Sequence, residues 1–138
     1  MAIVIVIAYS RRLTAPEPHG HYSGKFVMKR CDAHVHVVGA GTMGGDIAAW
    51  CALRGLTVTL QDQNAERLAP AMKRAGELFQ RRLRDKARVR DATDRLIPDV
   101  TGEGARHADV IIEAIFENLE AKRALFARLE AIAKPDAV

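Results

Sequence analysis

The sequence predicts an α/β fold built on a doubly wound parallel sheet, and three observations carry that prediction. Short β-branched apolar segments alternate with longer amphipathic ones from residue 35 onwards, a glycine-rich turn joins the first pair, and 49% of residues are apolar while only 5% are aromatic. Such a composition suits Ala-, Leu- and Val-rich helices layered on a sheet. With 138 residues the chain has the size of one domain.

Val35 to Val38 reads as a buried strand that runs directly into glycines, and Met43 to Arg54 as a helix closed by Gly55 at a position that favours a left-handed residue. Leu56 to Leu60 alternates and is β-branched, a second strand ending at Gln61 and Asp62. Strand, helix and strand at this spacing pack as a right-handed parallel crossover unit. Asn64 can cap a short turn, and Pro70 suits the first position of a longer helix, whose stripe of Met72, Ala75, Phe79 and Leu83 runs to about Arg90. Leu96 to Val100 is a weaker third strand interrupted by Pro98. Asp109 to Ile115 is a stronger fourth, expected to be buried on both faces. Asn118 to Lys134 forms the last helix, stopped by Pro135, and a further strand is expected to begin at Ala137 and Val138. The expected fold is thus a Rossmann-type sheet of about four strands with helices on both faces, incomplete at its C-terminal end.

Residues 1–30 divide from this domain, which occupies 31–138. Pro16, Pro18, Gly20 and Gly24 break any periodicity, so the segment reads as a flexible leader. The apolar run Ala2 to Tyr9 before them is an added strand, a linker remnant or an artificial extension. It is far shorter than the ~20 residues that cross a bilayer. Arg11 and Arg12 follow it rather than precede it, against a secretory signal. Cys31 and Cys51 lack any ligand or disulfide spacing, so no metal site is expected and a reducing compartment, the cytoplasm, is.

The chemistry concentrates at Gly39-Ala40-Gly41-Thr42-Met43-Gly44, a GxGxxG turn. Gly39 permits the tight exit from the strand, Gly41 lets backbone approach a pyrophosphate, and Gly44 lets the helix lie against the strand. The N–H groups of Thr42 and Met43 at the helix start add donors and a positive dipole end. An ordinary structural turn is the alternative, but a strand before, an apolar helix after, and an acid 18 residues beyond Gly44 favour dinucleotide binding. That acid, Asp62, can accept both ribose hydroxyls and would repel a 2′-phosphate. Neither Gln63, beside it, nor the next two residues is basic, so NAD is preferred to NADP. The alternative is that Asp62 only caps a turn.

GAGTMGGDIA at 39–48, VTLQD at 58–62 and IIEAIFENLEAK at 111–122 resemble the NAD-binding domain of 3-hydroxyacyl-CoA dehydrogenases, particularly the dehydrogenase part of fatty acid oxidation α-subunits. The resemblance covers Val35 to Val138. It implies β-oxidation of a 3-hydroxyacyl-CoA to a 3-oxoacyl-CoA, with Ala114, Glu117 and Lys122 on the nicotinamide side of the cofactor. A solvated first helical turn is the alternative for Glu117 and Lys122. The family's serine, asparagine, general-base histidine and its orienting glutamate fall beyond Val138, so no catalytic residue is assigned and the chain alone is expected not to turn over. The acyl-CoA substrate and any homo-oligomer belong to the intact enzyme. A free-standing nucleotide-binding module without catalysis is the competing reading.

His34 and His36 are expected to flank the first strand, and His107 to lie on the surface, none of them within reach of a substrate hydroxyl. Lys73 to Arg95 holds nine basic residues against four acidic ones. A solvated helix face is the simplest account, contact with coenzyme A phosphates is implied by the resemblance, and nucleic acid is disfavoured by the scarcity of aromatics.

Overall fold

A computed structural model describes residues 33–138, and the leader expected over 1–30 lies outside the described residues. The order is β1 (His34–Val38), α1 (Thr42–Leu53), β2 (Thr57–Gln61), α2 (Ala65–Arg82), α3 (Lys86–Arg95), β3 (Leu96–Asp99), a 3-10 turn (Glu103–His107), β4 (Val110–Glu113) and α4 (Leu119–Ile132). The four strands are parallel in the order β3-β2-β1-β4. The alternation of short strands with helices thus produces the α/β sheet the sequence predicts.

Strand periodicity divides the core between two faces. Val35, Val37, Val58 and Leu60 point to the side covered by α1, α2 and α3, where Phe79 is the largest fully buried side chain. Small residues Ala48, Ala49 and Ala52 let α1 lie close to the sheet. On the other side Val38 meets Ala105 of the 3-10 turn and Leu129 of α4. Helices therefore cover both faces.

Three local expectations are corrected. Pro70 lies inside α2 rather than at its first position, because Asn64 caps the whole helix by accepting the Glu66 N–H at 2.8 Å. The single long helix is two: α2 ends at Arg82, and Asp85 restarts the chain as the cap of α3, accepting the Ala87 N–H at 2.8 Å. β4 is half-buried along its length, because it stands at the sheet edge rather than inside it. Pro98 is tolerated because β3 is the opposite edge strand. Beyond β4 the Ile111 N–H donates to the Val138 carbonyl at 2.6 Å and the Val138 N–H to the Asp109 carbonyl at 3.2 Å. Val138 therefore lies along the outer edge of β4 in a parallel-ladder pattern.

The histidines also depart from expectation: His34 and His36 lie within β1, and His36 is fully buried. His34 stands opposite Thr57 and His36 opposite Thr59, and alternation puts them on one face with Thr59 and Gln61 of β2, a polar stripe under the 3-10 turn. His36 Nε2 lies 2.9 Å from Gln61 Oε1 and so carries the ring proton, while Nδ1 accepts from the Thr59 hydroxyl at 2.7 Å. The Thr59 oxygen accepts in turn from His34 Nε2 at 3.0 Å. This chain is saturated only while His36 is neutral. Burial, the largest influence, lowers the His36 pKa, outweighing the opposing Gln61 hydrogen bond and Asp99 charge; burial likewise lowers that of His34, helped by the charge of His36.

Because the folded pKa lies below the unfolded one, the unfolded chain takes up protons first as pH falls below about 6.5. Stability is therefore full above that pH and declines below it, by up to about 1.4 kcal/mol per pH unit for His36. Urea denaturation at pH 7.5 and 5.5 should show a lower midpoint at 5.5 and a smaller difference in His36→Asn. Equal midpoints in the wild-type chain would contradict this account.

Candidate functional site

The glycine turn sits between the C-terminal ends of β1 and β4. Gly39 has φ of 106°, and a Cβ there would lie 2.6 Å from the Ala114 carbonyl oxygen, so only glycine fits. A Cβ on Gly44 would lie 1.8 Å from the Gly39 carbonyl oxygen and 3.1 Å from the Ala114 Cβ. These two glycines let the turn, the start of α1 and the end of β4 occupy one small volume.

Gly41 differs, since a Cβ there would meet nothing within 4 Å. It precedes α1 as its N-cap without any side-chain hydrogen bond, and the first turn of α1 holds no acidic residue. The first-turn N–H groups have no intrahelical acceptors, and the positive end of the helix dipole opens onto the empty space beside Gly41. Thr42 and Met43 are exposed there and Ala40 is buried. An anionic group can approach this backbone only where no side chain stands, so these residues fit a pyrophosphate.

Asp62 lies just past β2, and its two oxygens tie the turn to that strand. Oδ2 accepts the Ala40 N–H at 3.1 Å and Oδ1 the Asn64 N–H at 3.0 Å. The carboxylate is half-exposed, so its remaining lone pairs can accept hydroxyl hydrogens. Capping the turn and receiving a ligand are thus compatible. Gln63 is exposed and makes no side-chain hydrogen bond among the described residues.

The third part of the site follows β4. The Ala114 N–H donates to the Val38 carbonyl at 2.8 Å, which fixes the strand end against the glycine turn. Asn118 caps α4 by accepting the Ala121 N–H at 2.9 Å, so Lys122 stands in the first turn. Its Nζ lies 3.1 Å from both Glu117 Oε1 and Glu113 Oε2. Glu117 first, then Glu113, raises the Lys122 pKa, which keeps it a cation.

With this geometry in place, comparison with known proteins decides the family. The sequence model of the family described as "3-hydroxyacyl-CoA dehydrogenase, NAD binding domain" matches residues 34–138. The chain belongs to the 3-hydroxyacyl-CoA dehydrogenase family, as its NAD-binding domain. Its cofactor is NAD. A probable 3-hydroxybutyryl-CoA dehydrogenase of Bacillus subtilis is 35% identical over 108 residues, 75% of this chain and 38% of that protein. A fatty acid oxidation complex subunit alpha of Psychrobacter arcticus is 32% identical over 106 residues, 74% of this chain and 15% of that one. The crystal structure of 3-hydroxybutyryl-CoA dehydrogenase from Escherichia coli superposes with a TM-score of 0.72 at 34% identity, over 78% of this chain and 24% of that chain. The chain therefore spans well under half the length of these relatives.

In this NAD-binding domain two features near the turn escaped sequence reasoning. By sequence Glu113 is only a residue of the fourth strand, yet its side chain is 11% exposed and paired to Lys122. Arg74 of α2 approaches the turn, with Nη2 3.4 Å from the Gly41 carbonyl and Nε 3.6 Å from Asp46 Oδ1. At that distance its buried Nε has no hydrogen-bond partner. The signal was Gly45, the last glycine of GTMGG. A Cβ there would lie 3.0 Å from the Ala71 Cβ, which brings α2 close enough for Arg74 to reach. Among the described residues no three His, Cys, Asp or Glu side chains could share a metal, and no helix is long and apolar enough to cross a membrane.

Proposed function

We propose that residues 31–138 form the cofactor-binding domain through which a dehydrogenase of β-oxidation converts a 3-hydroxyacyl-CoA to a 3-oxoacyl-CoA. The carrying observation is the open space beside Gly41, framed by the uncapped start of α1 and by Asp62. In this reading Gly39, Ala40, Gly41, Thr42, Met43 and Gly44 cradle the pyrophosphate. Asp62, with Gln63 beside it, receives the adenosine ribose. Ala114, Glu117 and Lys122 face the nicotinamide half. Bound NAD supplies the hydride acceptor of the reaction, and these residues hold and orient it.

The described histidines do not serve as the base. His36 is sealed in the sheet and spends both ring nitrogens on Thr59 and Gln61, His34 bonds Thr59, and His107 is exposed at the end of the 3-10 turn. The proton of the substrate hydroxyl therefore passes to a group outside residues 33–138. We place the enzyme in the cytoplasm, acting on acyl-CoA without nucleic-acid partners, and as a homo-oligomer when whole.

Titration calorimetry with NADH and NADPH tests the assignment. NADH is expected to bind at least about tenfold more tightly, because Asp62 accepts ribose hydroxyls and repels a phosphate. Asp62→Ala should narrow that gap. Equal affinities in the wild-type chain would remove Asp62 from the site.

A further inference from the structure

We infer that Glu113 is a positioning residue that holds the Lys122 ammonium beside the glycine turn for the nicotinamide half of the cofactor. The inference rests on the placement of Lys122 proposed above.

Glu113 ends β4 in register with Val38, the residue before Gly39. Both of its oxygens are engaged by the protein: Oε1 accepts the Ile115 N–H at 2.7 Å, and Oε2 lies 3.1 Å from Lys122 Nζ. The carboxylate, 11% exposed, is thus spent on this chain rather than free for a ligand. Glu117 has the opposite character: 71% exposed, it engages Lys122 through Oε1 alone. Lys122 itself is 20% exposed and stands between a fixed acid and a mobile one.

A lysine stem is long and flexible, and an ion pair with an exposed glutamate restrains it little. Glu113 supplies the restraint from the rigid side, because β4 is laddered to β1 and the Ile115 bond fixes the carboxylate. The same bond pins the segment whose Ala114 packs against Gly39 and Gly44. One carboxylate thereby sets both the wall of the turn and the place of the ammonium paired with it. Two acids and one base leave a net negative charge, and the surplus lies on exposed Glu117, where a hydroxyl-bearing ligand can be received.

Glu113→Gln separates the two tasks, since the amide oxygen can still accept the Ile115 N–H while the amide nitrogen no longer attracts the ammonium. ADP-ribose, which lacks nicotinamide, serves as the control ligand. Glu113→Gln should weaken NADH binding roughly tenfold, the effect of about one charge-assisted hydrogen bond, and leave ADP-ribose affinity unchanged. In a Lys122→Ala background, Glu113→Gln should have no further effect on NADH. Equal weakening of both ligands would overturn the inference in favour of a purely structural bond to Ile115, and no weakening of either would overturn it outright. Weakening by Lys122→Ala without any effect of Glu113→Gln sinks the inference alone. NADH affinity indifferent to Lys122→Ala sinks the proposed placement of Lys122 together with it.

Discussion

Valine at position 41 is expected to abolish NADH binding, raising the dissociation constant about a hundredfold or more, while the domain stays folded. The backbone of Gly41, at φ −62° and ψ −174°, is open to any residue, and a Cβ there meets nothing within 4 Å. Exchange of glycine for valine at an uncapped N-cap costs about 1 kcal/mol at most. A branched side chain nevertheless fills the space through which a pyrophosphate must reach the N–H groups of α1. Fluorescence titration with NADH, paired with a thermal melt, measures both effects. A folded Gly41→Val chain with wild-type affinity would place the phosphates elsewhere.

Gly44→Ala is expected to do the reverse, damaging the fold before the ligand is considered. The new methyl would sit 1.8 Å from the Gly39 carbonyl oxygen and 3.0 Å from its carbon. Both are backbone atoms of a turn whose φ of 106° leaves it no alternative path, and Ala114 closes the third side. Relief requires α1 to move away from the sheet, which opens the small-residue interface of Ala48, Ala49 and Ala52. The expected cost is about 3 kcal/mol or more, a large share of the stability of a small domain. Urea denaturation should show the midpoint falling accordingly. A wild-type midpoint would mean that the turn has slack the geometry does not reveal.

These two glycines also show how far the sequence could be read. GxGxxG between a strand and a helix carries its own geometry, so the turn, the parallel crossover and the acid at the end of β2 follow from spacing. The break at 83–85 was hidden because Leu83 continues the apolar stripe of Met72, Ala75 and Phe79 across it. Asp85 was the signal, a capping residue placed where a new helix could start. The polar stripe was hidden for another reason. His34 and His36 alternate with valines, as do Thr57, Thr59 and Gln61 with Val58 and Leu60, but only strand pairing shows that the two polar sets share a face. The half-burial of β4 depends on strand order, which its own apolar residues do not encode. Asp62 was legible as a candidate because its spacing from the glycine turn and the chemistry of a carboxylate both single it out, and its contact with Ala40 agrees with that spacing. Glu113 was not, because an acid inside IIEA looks like any strand-end carboxylate until Lys122, nine residues later, folds back onto it.

Amide chemical-shift mapping on the 138-residue chain titrated with NADH tests the central claim most directly. Saturable changes are expected at 39–44, at 62–63 and from 114 to 122, with residues 83–95, the later part of the basic stretch Lys73 to Arg95, undisturbed. No saturable change in a folded chain, or changes centred on 83–95, would contradict the reading of the glycine turn as the cofactor site.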